Sequence, residues 1–126
     1  MLDAPVLTDA ERDRVALDEL IGDRDAVAIA AVTYAELLHG VEMARGRQRT
    51  RRQRFVDAVA SEVPIVACHR RVAVAHAVLL AHVQRAGRLR GAYDLIIAAT
   101  AATDGWSVVT ADPRGFHGLP GVPIRR

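Results

Sequence analysis

Four acidic residues stand where an apolar segment ends or a helical turn begins: Asp3, Glu36, Asp94 and Asp112. Asp3 follows Met1-Leu2. Glu36 lies in Thr33-Tyr34-Ala35-Glu36-Leu37-Leu38, just after the apolar run over residues 26–32. Asp94 opens Asp94-Leu95-Ile96-Ile97-Ala98-Ala99-Thr100-Ala101, and Asp112 follows Ser107-Val108-Val109-Thr110. If the apolar runs are strands of one parallel sheet, all four carboxylates gather at its carboxyl edge, where open α/β sheets place their sites. Two carboxylates about 4 Å apart repel by roughly 4 kcal/mol at an effective dielectric of about 20. A divalent cation offsets that repulsion, and hard cations prefer oxygen ligands.

The elements that would position these acids alternate in type along the chain. Met1-Leu2 reads as the tail of a first strand, short because only two residues precede Asp3; a start upstream of Met1 would lengthen it. Pro5 suits a helical first turn, where its missing N–H costs nothing. Short helices are expected over residues 6–10 and 14–21, and a turn at Gly22-Asp23-Arg24-Asp25. Residues 26–30 form a continuous apolar run, as buried parallel strands do. Thr33 and Glu36 match a capping box opening a helix to about Met43. A helix restarts at Arg51, and residues 64–67 read as a strand. Residues 72–86 form an amphipathic helix with Val72, Ala75, Leu79, Leu80 and Val83 on one face, ended by Gly87. An apolar helix over residues 95–103 stops at Asp104-Gly105, and residues 107–110 read as the next strand. Val122-Pro123-Ile124 reads as an edge strand, where Pro is tolerated. The fold class is α/β: a three-layer α/β/α domain with a central parallel sheet, one domain over residues 1–126.

Composition narrows the chemistry. The chain has 126 residues with a net charge of +2, and all 17 of its basic residues are Arg. Without Lys it cannot form a P-loop, nor the Lys-assisted sites of phosphoaspartate phosphatases and receiver domains, which share acids at strand ends. No apolar run reaches the length of a membrane span and no charged-then-apolar leader is present, so a cytoplasmic location is expected. The single Cys68 allows no internal disulfide and reads as a small buried hydrophobe. The five histidines lack zinc-ligand spacing, and Trp106 reads as core.

The acids with their surroundings resemble the PIN-domain ribonucleases, in particular the VapC-type toxins of bacterial toxin–antitoxin pairs. The matching pieces are Leu2-Asp3-Ala4-Pro5-Val6-Leu7, Thr33 through Val41, Tyr93 through Ala101, and Val108-Val109-Thr110-Ala111-Asp112 with Phe116 and Leu119-Pro120-Gly121. Each piece alone is weak; all in order over the whole chain is a specific signal. The resemblance implies an endoribonuclease that uses Mg²⁺ or Mn²⁺ on structured RNA such as tRNA or ribosomal RNA. By position it makes Asp3, Glu36 and Asp94 the core metal ligands, with Asp112 completing the site and Thr110 as a supporting hydroxyl. It also implies a VapB-type antitoxin that inserts a segment into the acidic groove, a homodimer, and a toxin–antitoxin hetero-oligomer. The chain departs from the family pattern at Ala4-Pro5, where a hydroxyl and a polar residue are usual, and at Gly115, where an acid often precedes the Phe.

Plainer roles exist for the same residues. Asp3 and Asp94 suit N-caps of the helices that follow them, Glu36 suits the capping box alone, and Asp112 suits a turn before Pro113. The arginine-dense run over residues 45–54, including Arg47, Arg49, Arg51 and Arg52, suits RNA phosphates, an acidic antitoxin segment, or a solvated helix hairpin. Arg88 and Arg90 flank the loop before Asp94 and suit substrate contact. The alternative to an enzyme is a PIN-fold binding module with weakened catalysis, acting through RNA or antitoxin.

Overall fold

The computed structural model describes residues 1–22 and 26–125. Four two-residue strands, β1 (Ile29–Ala30), β2 (Ile65–Val66), β3 (Val108–Val109) and β4 (Ile124–Arg125), pair as β1 with β2 and β3 with β4, both parallel. Leu2 joins the two pairs. It bridges Ile29 on one side and Val109 on the other, both in parallel, so the sheet runs β2–β1–Leu2–β3–β4. Pairing reaches past the short ladders: Leu2 N–H donates to the Ala28 carbonyl at 3.0 Å, Asp3 N–H to Val109 at 3.2 Å and Thr110 N–H to Arg125 at 3.0 Å. The chain leaves Leu2 toward β1 and returns on the other side to β3. Asp3 therefore sits at the switch point of the sheet, where the strand order reverses.

Side chains alternate across a strand, and that period of two builds the layers. Leu2, Ile29 and Val109 face one core with Leu7, Leu17, Leu37, Val41, Val56 and Val59. These come from α1 (Ala4–Arg12), α2 (Leu17–Ile21), α3 (Ala31–Met43) and α4 (Gly46–Glu62). Met1, Ala28, Ala30 and Val108 face the other core with Val72, Leu79 and Val83 of α5 (Arg70–Ala86) and Leu95, Ile97 and Ala98 of α6 (Ala92–Thr103). The expected three-layer α/β/α arrangement with a parallel sheet is what forms.

Local expectations are corrected in several places. Glu36 and Thr33 form no capping box: α3 starts at Ala31, its N-cap is Ala30, and no side chain caps it. The helix leaves β1 without a loop, so Thr33 lies inside its first turn. Asp94 is not an N-cap either, since α6 begins at Ala92 and is capped by Gly91. α4 begins at Gly46 rather than Arg51. Leu80, placed on the buried face of α5, is 37% exposed. Cys68 is exposed, because β2 is an edge strand that ends at Val66 before Cys68 is reached. Trp106 packs against the core, half-buried. The turn expected at Gly22 runs into residues 23–25, which lie outside the described residues. Among the described residues no helix is long and apolar enough to cross a membrane.

Candidate active site

Asp3 is fixed by the sheet on one side and α1 on the other. It directly follows the central Leu2, is 3% exposed, and its Oδ1 accepts from Val6 N–H at 3.2 Å as the N-cap of α1. Burial raises its pKa; the Thr110 hydroxyl and Val6 N–H pull it down, and the charges of Asp94 and Asp112 push it up again. The capping and chemical roles thus fall on one carboxylate.

Glu36 comes from α3, one turn beyond Thr33. Burial raises its pKa, and Asp94 and Asp3 add to the rise. Thr33 is fully buried, and its hydroxyl has no hydrogen-bond partner in the fold. An unsatisfied buried hydroxyl costs about 1–3 kcal/mol.

Asp94 stands in the first turn of α6, where the helix dipole favours negative charge. Burial nonetheless raises its pKa, with Asp112 adding to the effect. Its carboxylate packs against two bare Cα atoms. A Cβ on Gly91 would stand 3.3 Å from Asp94 Oδ2, and one on Gly115 would overlap that oxygen.

Asp112 behaves differently. It caps the 3-10 turn Pro113–Gly115, accepting from Arg114 N–H at 3.1 Å. Both of its oxygens also accept from the Arg114 guanidinium, at 2.8 Å each, which holds its pKa down at about 2. Thr110 braces this loop: its hydroxyl donates to the Asp112 carbonyl at 3.1 Å and accepts from Asp112 N–H at 3.0 Å. Arg114 is a partner that sequence reading overlooked, although Asp112-Pro113-Arg114 places it two residues on. Arg114→Ala is expected to return the Asp112 carboxyl toward its ordinary 3.8. A carboxyl ¹³C NMR titration checks this, and an unmoved midpoint would refute the clamp.

The four acids therefore share one electrostatic environment: Asp3 senses Asp94 and Asp112, Glu36 senses Asp3 and Asp94, and Asp94 senses Asp112. Among the described residues no three His, Cys, Asp or Glu side chains stand close enough to hold one ion between them. Asp112 points to Arg114 and Asp3 to the α1 N–H. The donor set still fits a hard cation. It is all oxygen, partly desolvated and mutually repelling, and Mg²⁺ keeps several waters, so that carboxylates act on it in part through them.

The arginines divide. Arg51 reaches across to Glu11 of α1 at 2.9 Å, Arg49 to Glu42 at 3.3 Å, and Arg52 donates to the Gly40 carbonyl at 3.0 Å. Arg51, Arg52 and Phe55 line a groove of about 310 Å³ together with Glu36 and Glu11. Arg47 and Arg88 are exposed. Arg90 is tied to the His117 carbonyl at 2.8 Å and stitches the loop before α6 to the loop after Phe116.

The family model of the PIN domain matches residues 1–121. The chain is similar to a member of the VapBC family of toxin–antitoxin systems, VapBC-5 from Mycobacterium tuberculosis. Identity is 32%, coverage is 99% of this chain and 95% of that one, and the TM-score is 0.80. DNA-bound VapBC from Salmonella typhimurium aligns at 26% identity over 99% of this chain and 95% of that one, with a TM-score of 0.86. VapBC2 from Rickettsia felis, bound to a DNA fragment from the promoter, shares the fold at 22% identity, covering 99% and 96%, with a TM-score of 0.87. No curated protein matches the chain in sequence. The resemblance carried by the four acidic motifs is borne out.

Proposed function

We propose that this chain, which belongs to the PIN domain family, is a divalent-metal-dependent endoribonuclease and the toxin of a toxin–antitoxin pair. The observation that carries the reading is the placement of Asp3 directly after the central Leu2, with Glu36 on the helix that leaves β1 and Asp94 in the first turn of α6, in a chain that the PIN domain model matches; burial and acidic neighbours raise the pKa of all three. Sites with such perturbed groups are where chemistry is found. These three would act on Mg²⁺ or Mn²⁺ partly through the ion's own waters, with Asp112 joining when it leaves Arg114. Bound there, the metal would lower the pKa of a water and stabilise charge on the scissile phosphate. Asp3, locked between sheet and α1, supplies a fixed charge. Glu36 lines one groove with Arg51 and Arg52, whose positive charge would attract a phosphate backbone toward the acids. Structured RNA is the proposed substrate.

The partnership follows from the relatives, which are VapBC toxin–antitoxin structures. A VapB-type antitoxin segment occupying the same groove would block it, and a homodimer and a cytoplasmic location go with this reading. Purified protein is expected to cut structured RNA with Mg²⁺ or Mn²⁺ and to stop in excess chelator. Cutting that persists in chelator, or no cutting with either ion, would sink the proposal. The second reading, a binding module with weakened catalysis, is favoured by one observation: Arg114 holds both oxygens of Asp112. RNA or antitoxin binding without any cleavage would select it.

A further inference from the structure

The end of α5, the loop before α6 and the loop after Phe116 enclose a cavity of about 270 Å³. Four side chains rich in hydrogen-bond donors line it, His82, Arg88, Arg90 and His117, beside the buried Val83 and Leu119. Among the described residues no carboxylate lines it. Both grooves along α4, by contrast, contain Glu11, which pairs with Arg51. Among the described residues neither Arg88 nor Arg90 is ion-paired. Arg90 is held by neutral partners: Nη1 donates to the Arg88 and Leu89 carbonyls at 3.3 and 3.4 Å, and Nη2 to the His117 carbonyl at 2.8 Å. Its Nε–H is buried and has no partner in the fold, an uncommon state for a buried donor. An imidazole offers an N–H donor whether neutral or protonated. The C-terminal carbonyls of a helix oppose an anion, but those of Val83 and Gln84 already accept from the N–H groups of Arg88 and Gly87.

We propose that this cavity is a phosphate subsite, which holds the RNA backbone beside the acids. Uncompensated guanidinium charge and several converging N–H donors are what a phosphodiester oxygen needs. The two loops that wall the cavity are also the two that abut Asp94. Gly91 follows Arg90 and lies against Asp94 Oδ2, and Gly115 stands two residues before His117 and packs against the same oxygen. The Arg90–His117 bond joins these loops and so fixes the subsite relative to Asp94. A phosphate held here is one loop away from the first turn of α6. Contacts to phosphate set register and carry no sequence information, so the subsite positions the strand and does not select its bases. The inference deepens the nuclease reading and rests on it for the identity of the polyanion as RNA.

RNA binding is measured by fluorescence anisotropy over a salt series, in excess chelator so that no cutting intervenes. Wild type is compared with Arg88→Ala, His82→Gln and a charge-matched control, Arg70→Ala, at the other end of α5. Arg88→Ala is expected to weaken binding about 10-fold, alike for RNAs of different sequence. It should also lower the slope of log affinity against log salt by about 0.7–0.9, the share of one phosphate contact. Arg70→Ala should stay within about 2-fold, because salt screens a distant exposed charge. Inorganic phosphate titrated into the imidazole NMR spectrum should move His82 and His117 together and leave His39 and His69 in place, and RNA should displace it. A wild type that binds no RNA, an unchanged affinity and slope in Arg88→Ala, an equal loss in Arg70→Ala, or phosphate that leaves both rings unmoved overturns the proposal. Rings moved by oligoglutamate but not by phosphate also overturn it, in favour of an acidic protein segment. If Arg88→Ala fails to fold, His82→Gln decides: unchanged RNA affinity and an unchanged His117 response overturn the subsite. Wild type that binds RNA through this cavity but cuts nothing with Mg²⁺ or Mn²⁺ overturns the nuclease reading and leaves the subsite standing. Metal-dependent cutting with the same KM in wild type and Arg88→Ala does the reverse.

Discussion

Asp94→Asn is expected to lower the proposed RNA cleavage by about 100-fold or more while making the ion-free protein more stable at neutral pH. The first effect follows from removing a charge proposed to help hold the cation. Metal stabilisation of a phosphoryl transition state is worth several kcal/mol, and each 1.36 kcal/mol is tenfold in rate, so about 3 kcal/mol is roughly 100-fold. The second effect follows from linkage. The pKa values of Asp3, Glu36 and Asp94 are raised in the fold above 3.8, 4.5 and 3.8. A carboxyl with a raised folded pKa binds its proton more tightly when folded, so its ionisation destabilises the fold. That penalty is complete above the raised pKa values and disappears as pH falls to the ordinary ones. Asp112 has the opposite sign: its contribution is present above 3.8 and lost as pH falls through about 2, and solvent screening keeps it small. In chelator, the wild-type melting temperature should therefore rise as pH falls toward 4.5, with a smaller rise for Asp94→Asn. Equal cleavage by the two proteins would remove Asp94 from the site. A lower neutral-pH melting temperature for Asp94→Asn in chelator would refute the electrostatic account.

Leu2→Ala is expected to cost about 2–5 kcal/mol of folding stability, the range for large-to-small changes in a core. Leu2 is 0% exposed and, among the described residues, is the one that bridges the β1–β2 pair to the β3–β4 pair. Its side chain fills the core shared with Leu7, Ile29 and Val109. Because Asp3 follows it directly, the loss should also loosen the N-cap bond to Val6 and with it the position of the first acid. Leu89, at 80% exposure, supplies the contrast: Leu89→Ala should stay within about 0.5 kcal/mol. Urea unfolding of both variants measures the difference. Similar midpoints would mean that Leu2 does not hold the sheet together.

The layers and the position of the acids were legible because they depend on patterns that are local and strong. Met1-Leu2, Ile29-Ala30 and Val108-Val109 each place one side chain in either core, and an acid or a helix follows each strand. The start of α3 was not legible. Residues 26–32 are mostly Ala and Val, and Ala is both apolar and the best helix former, so the pattern cannot mark where β1 ends and α3 begins. Thr33 and Glu36 are three apart in a capping box and equally three apart inside a helix. The burial of Cys68 was misjudged because apolar neighbours do not tell an edge strand from a central one. The seat of Asp94 lay beyond reach for another reason. Gly115 and Asp94 meet only through the fold, and no short-range signal connects them.

The bridging of Leu2 to both Ile29 and Val109 bears on how the protein is made. Asp3 acquires its position only when Val109 and Thr110 dock beside it, and those residues are synthesised long after it. Contacts so far apart in sequence form late and slowly, and chains synthesised in order wait for them. A nascent or truncated chain ending before β3 lacks the strand that completes the acid cluster and part of the core beneath α5 and α6. The proposed activity is thereby coupled to the arrival of β3.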